Sequence, residues 1–336
     1  MKLNNIFTSH MVFAAKQPIR IYGTGVGEAV ITFAGQTKAV ISDAEQWLVE
    51  FSPMEYSGPY ELVFESQERV VLNDIYVGEV YLFAGQSNMQ FKMKTESTNP
   101  SLYESNENLR LFSTDRIEKT DFYTAKDGWV KCRKEMVEEW SAIGYLAGNE
   151  IAKSKNIAVG IITCYQGASV IESWTPKGIF EKHGINISLD QKYRDHSDER
   201  WSGWNKDGTL YDYAFSQVVP FSFSAVVWYQ GESDTSLEEA KVYQQELAIL
   251  IDTWRNDLKN HSLPFVIVQI ADYTNRNDEA WKMVQKAQYE IQHTLSNITT
   301  VISADVCESD DIHPPTKYKL AKRIATALKN IKLIFE

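Results

Sequence analysis

The sequence predicts an α/β fold in which a parallel sheet with helices on both faces follows a small N-terminal β-sandwich. Two rhythms in the chain predict it. Up to about residue 77, short runs of β-branched and aromatic residues alternate with turn residues, which is the spacing of antiparallel strands. Beyond residue 79, wholly apolar runs alternate with segments of helical periodicity, and a strand that is apolar on both faces has to be covered on both sides. The expected division is therefore residues 1–77 and 78–336.

In the front section the predicted strands are Ile19–Tyr22, Ala29–Phe33, Trp47–Phe51, Tyr60–Phe64 and Val70–Leu72. Gly23-Thr-Gly25-Val-Gly27-Glu28 resembles a dinucleotide loop, but its glycine spacing is wrong and a strand follows where a helix is required, so it reads as a hairpin turn. Ala34-Gly35-Gln36-Thr37 echoes the later Ala84-Gly85-Gln86-Ser87, yet no base or donor motif accompanies it, and it also reads as a turn. The parallel sheet is predicted from Val80–Phe83, Ala158–Thr163, Ala225–Trp228, Phe265–Ile270 and Val301–Ser303. Helices are expected over 141–153, 236–259, 278–295 and 316–330. The second of these carries Tyr243, Leu247, Leu250, Ile251, Trp254 and Leu258 on one stripe. The last starts just after Pro314-Pro315, where proline suits a helix start. Trp174 to Tyr213 show no periodicity and read as a long irregular connection of the kind that lines sites.

With 43% hydrophobic and 24% charged residues over 336 positions, the chain is a globular one with enough apolar side chains for a sizeable core. Its net charge of -11 and lack of a Lys/Arg cluster argue against nucleic acid as a partner. Three scattered cysteines, Cys132, Cys164 and Cys307, suggest neither a disulfide framework nor a metal site. The first residues lack the apolar core of a signal peptide, and no stretch reaches the roughly 18 apolar residues of a membrane span, so a cytoplasmic location and no membrane partner are expected. Most of the nine tryptophans and seventeen tyrosines are expected in core packing. Oligomeric state is not legible.

The chemistry concentrates at strand ends, where open α/β sheets form their sites. Val80–Ala84 runs into Gly85-Gln86-Ser87-Asn88-Met89, so that a serine stands between a buried strand and a possible helix start. A serine hydroxyl becomes a nucleophile only with a base at hand and donors for the oxyanion. His313, in Ser309-Asp310-Asp311-Ile312-His313-Pro314, is the base candidate, and either Asp310 or Asp311 could orient it. Two further motifs follow strands: Tyr165-Gln166-Gly167-Ala168-Ser169 and Tyr229-Gln230-Gly231-Glu232-Ser233-Asp234. Alone, Ser87 would read as a helix cap and His313 as a packing residue. Four such motifs at four strand ends read as a site. Gly167 and Gln230 are then candidate oxyanion donors beside the Ser87 N–H, and Glu232 a carboxylate that orients them. No metal-ligand motif occurs, so no metal or cofactor is expected.

These residues resemble the sialate O-acetylesterase family of the SGNH hydrolases, which carries Gly-Gln-Ser-Asn-Met, Trp-Tyr-Gln-Gly-Glu-Ser and a late Asp-Ile-His-Pro. They stand here at Gly85–Met89, Trp228–Ser233 and Asp311–Pro314, and Phe7–Val12 with Pro18–Gly23 look like the family's front domain. The resemblance implies Ser87 as nucleophile, His313 as base, the Ser87 N–H, Gly167 and Gln230 as the oxyanion hole, and Asp310 as the acid, with Asp311 the alternative. It implies an O-acetylated carbohydrate substrate, O-acetylated sialic acid first and acetylated xylan or another plant oligosaccharide next. A lipase or thioesterase is disfavoured because the loop from Trp174 is rich in Trp, Tyr, Asp and His rather than apolar. The reading from another class is a sugar-binding protein on a degenerate esterase scaffold.

Overall fold

The computed structural model describes residues 1–96, 102–117, 123–186, 203–276 and 278–331. Its organising element is β8, Arg69–Gly85, a strand of 17 residues that serves two sheets in succession. The first half pairs antiparallel with β7 (Ser57–Glu65) and parallel with β2 (Val12–Ala14). The second half lies parallel between β11 (Val159–Tyr165) and β12 (Ala225–Tyr229). The expected division at residue 77 thus falls inside one continuous strand. Gly78 marks the crossing, since a Cβ there would stand 2.0 Å from the Ala158 carbonyl oxygen.

In the front section, β1 (Lys2–Leu3), β3 (Ile19–Thr24) and β6 (Gln46–Phe51) form one sheet, and β4 (Gly27–Phe33) joins β5 (Gln36–Ser42) and β7 in the other. Side chains of the two meet: Trp47 stacks on Phe64 at 5.6 Å and Phe33 meets Phe51 edge-on at 6.4 Å. The glycine-rich Gly23–Gly27 segment is not a hairpin, because β3 and β4 belong to different sheets; it is a corner between sheets, with Gly25 and Gly27 at positive φ. Ala34-Gly35 is the two-residue turn of the β4–β5 hairpin, closed by the Phe33–Gln36 pair.

The second sheet runs β10 (Val130–Cys132), β9 (Asn106–Ser113), β11, β8, β12, β13 (Phe265–Val268), β14 (Ile298–Val301), all parallel from β9 onward. Every residue of β11, β12 and β13 is buried, so both faces are covered as the apolar runs required. Among the parallel strands of this sheet, β9 is the one the apolar runs do not predict. Its run is interrupted by Arg110, which is buried but spends its charge over the Tyr76 ring at 4.3 Å. The chain places β9 and β11 on one side of β8 and then β12 to β14 on the other. The order therefore reverses at β8, and a crevice forms at its carboxyl end.

Helices α1 (Ser87–Gln90), α2 (Ala142–Lys155), α3 (Ile179–Lys182), α4 (Thr209–Tyr213), α5 (Leu237–Asp257), α6 (Glu279–Thr294) and α7 (Tyr318–Asn330) connect the strands. Helix α5 starts in a capping box between Ser236 and Glu239 and buries its whole predicted stripe, Tyr243 to Leu258. Each such side chain contributes about 1.5–3 kcal/mol on burial. The connection from Trp174 to Tyr213 contains α3 and α4, and its residues 187–202 lie outside the described residues. Trp174 and Trp204 in it are buried, Trp174 against Trp228 and Trp254, so these rings are core rather than cleft wall.

Candidate active site

Strand β8 ends in a conformation that only glycine takes without strain. Gly85 has φ +141°, and a Cβ on it would stand 2.0 Å from the Tyr229 carbonyl oxygen. The chain then turns at Gln86, whose N–H donates to that same carbonyl at 3.0 Å, and enters α1. Asn88 and Met89 point inward and are buried, while Ser87 stays partly exposed at the crevice.

Ser87 Oγ lies 2.7 Å from His313 Nε2, bringing together residues 226 positions apart. Burial lowers the pKa of the imidazole, the nearby Lys317 charge lowers it further, and Asp311 opposes both. These surroundings favour the neutral ring, and in the tautomer protonated on Nδ1 the serine hydroxyl donates to Nε2. The expected acid is the first correction. Asp310 and Asp311 are both exposed, and among the described residues no carboxylate accepts a hydrogen bond from the ring. Asp311 Oδ1 instead accepts the His313 backbone N–H at 2.8 Å. Its carboxylate caps the turn that carries the histidine, and Asp310 faces outward from the same turn.

The expected oxyanion donors separate. The N–H of Ser87, at the first helical position, has no acceptor among the described residues. Gly167 lies against the nucleophile, since a Cβ on it would be 3.7 Å from Ser87 Cβ, and its N–H donates to Gln90 Oε1 at 3.0 Å. Gln230 is the second correction. Its fully buried amide donates to the Ser169 carbonyl at 2.9 Å and to Asp234, and its oxygen accepts from Tyr243. Both of its N–H groups are thus consumed, one tying the loop after β12 to the loop after β11 and one within its own loop, while its oxygen ties that loop to Tyr243 of α5, so no N–H is left for an oxyanion.

Beneath Ser87 the motifs interlock. Gln86 Oε1 accepts the Gly231 N–H at 3.1 Å. Asn88 Nδ2 donates to Glu232 Oε1 at 2.5 Å and to the Ile312 carbonyl at 2.9 Å, while its Oδ1 accepts from Lys317 Nζ at 2.7 Å. Glu232 therefore orients the nucleophile turn rather than the oxyanion donors. Burial raises its pKa against the pull of Asn88 and Lys317. Sequence reasoning missed Asn88 and Lys317 as working residues. The signal for Lys317 was available: a lysine at the N-cap of α7 opposes the helix dipole, so its position needed another reason.

A family model described as "Carbohydrate esterase, sialic acid-specific acetylesterase" matches residues 77–330. The human sialate O-acetylesterase is 24% identical over 351 residues, covering 90% of this chain and 65% of the human protein, and that of Pongo abelii is 24% identical over 328 residues, covering 87% and 62%. The chain thus spans under two thirds of the length of these relatives. Among solved structures, a carbohydrate acetylesterase from Xanthomonas citri superposes with a TM-score of 0.82 at 24% identity, covering 98% of this chain and 74% of that one, and shares its α/β fold with a mixed central sheet. The match over 77–330 takes in the nucleophile turn, the loop after β12 and the histidine turn, and the chain belongs to the sialic acid-specific acetylesterase family of carbohydrate esterases.

Proposed function

We propose that this chain is a serine O-acetylesterase that removes acetyl groups from carbohydrate, O-acetylated sialic acid first. The observation that carries the reading is the 2.7 Å contact between Ser87 Oγ and the Nε2 of His313, whose burial lowers its pKa. Ser87 Oγ attacks the acetyl carbonyl carbon and its proton passes to His313 Nε2. The N–H of Ser87, which has no acceptor among the described residues, would donate to the oxyanion, and the Gly167 N–H would join it once released by Gln90 Oε1. The carbon–oxygen bond to the sugar then breaks, and the sugar oxygen takes the proton from His313. Water adds to the acetyl-enzyme with His313 again as base, and acetate leaves. In this scheme a Ser–His pair does the proton transfer, and Asp311 contributes charge at a distance. We also assign the SGNH class to the parallel-sheet section and a β-sandwich to the front section, the latter supported by the ring contacts between its two sheets.

Acetate release followed by NMR from 9-O-acetylated sialic acid and from acetylated xylo-oligosaccharides, with wild type and Ser87→Ala side by side, tests the proposal. Release from the sialic acid that disappears in the variant is the expected result. Release only from the xylo-oligosaccharide would move the substrate, and sugar binding without release by either protein would establish a binding protein instead.

A further inference from the structure

Lys317 is fully buried, and its ammonium group has one hydrogen-bond acceptor among the described residues, Asn88 Oδ1 at 2.7 Å. The rings of Phe91 and Tyr229 face it at 4.7 and 6.0 Å. A buried ammonium with so few partners is costly and does not persist as packing alone. It also fixes the orientation of the Asn88 amide. Lys317 can only donate, while Glu232 Oε1 and the Ile312 carbonyl can only accept, so all three partners demand the same rotamer. Asn88 adjoins the nucleophile and Ile312 adjoins the base, so one amide clasps the two turns whose contact defines the site.

We propose that Lys317 is a positioning residue for the Ser87–His313 pair, holding through its ammonium the Asn88 clasp that joins the nucleophile turn to the histidine turn. The inference rests on the nucleophile and base roles proposed above. The ionisable groups facing Lys317 are Glu232 on the loop after β12, Tyr229 at the end of that strand, and Cys307, Glu308, Asp311 and His313 on the segment after β14, while Glu96 accepts its backbone N–H. Facing His313 are Lys317, Asp311 and Ser87. Burial, opposed by the neighbouring acids, pushes the Lys317 pKa down to about 8. The clasp therefore loses its charge-assisted bond, and Glu232 its counter-charge, as pH rises through that region.

The test is the pH profile of covalent labelling of Ser87 by a fluorophosphonate probe, in which the serine oxygen bonds to phosphorus, fluoride leaves and His313 takes the proton. Wild type should show an acid limb from His313 and an alkaline fall centred near pH 8. In Lys317→Met the rate should drop on the order of 100-fold, the acid limb should move to higher pH because a cation beside the imidazole is gone, and the alkaline fall should vanish. Lys317→Arg, which keeps the charge, should restore the acid limb. A folded Lys317→Met protein with both limbs at their wild-type positions would overturn the proposal. So would a wild-type profile flat from pH 7 to 9.5, a result that needs no variant to fold. Labelling with the expected limbs but no acetate release from any sugar would sink the acetylesterase reading while leaving this one standing.

Discussion

Strand β8 passes through two environments, and its halves obey different constraints. From Arg69 to Tyr76 its side chains mix exposed, half-buried and buried positions along the antiparallel pairing with β7, and Arg69 pairs with Glu65 in open solvent. From Val77 to Gly85 every residue is buried, and from Tyr81 onward the strand runs between the parallel neighbours β11 and β12. The first half has slack: a change on its open face is answered by water. The second half has none, and the same rigidity that excludes substitution delivers Ser87 to a fixed point opposite His313. Precision at the site comes from the covered end of the strand.

The comparison can be broken most severely at the reacting end. Replacing Ser87 or His313 by Ala should each lower kcat/KM by about 10⁴-fold or more, with the double variant little worse, because the pair acts as a unit; losses that multiply would mean the two residues act separately. One step back, Gly85→Ala forces a side chain into left-handed backbone and against the Tyr229 carbonyl. A loss of about 3 kcal/mol or more in denaturant unfolding is expected, and a variant as stable as wild type would show that the strand end yields. A smaller effect separates the two aspartates. Asp311→Asn keeps the oxygen that caps the histidine turn but removes the charge that supports the imidazolium, so the acid limb of kcat/KM should move to lower pH, while Asp310→Asn should leave it in place. A severe defect in Asp310→Asn alone would restore it as the acid. At the open end, Arg69→Ala should change stability by no more than about 0.5 kcal/mol and activity not at all.

What was legible in the sequence follows from the same division. Buried strands and helix stripes announce themselves by apolar runs, and Val80–Phe83, Ala225–Trp228 and the α5 stripe stand where periodicity put them. Strands whose faces are mixed do not, which is why exposed β5 and the Arg110-bearing β9 were missed. The Ser87–His313 juxtaposition was readable because both residues follow strand ends that the parallel order brings together. The role of each neighbour was not, because it depends on which way a side chain leaves the turn. Gln230 turns into the core and Asp310 into solvent, whereas Lys317, despite its charge, turns inward to Asn88. Hydrogen-bond satisfaction decides such choices, and it is a property of the folded neighbourhood rather than of spacing along the chain.

The most direct test of the central claim is to quench the protein rapidly during hydrolysis of an activated acetyl ester and locate the acetyl group by mass spectrometry, with Ser87→Ala as the companion. One acetyl group on the peptide containing Ser87, and neither acetylation nor turnover in the variant, is the predicted result. An acetyl group on another residue, or turnover at the wild-type rate by the protein lacking Ser87, would contradict it.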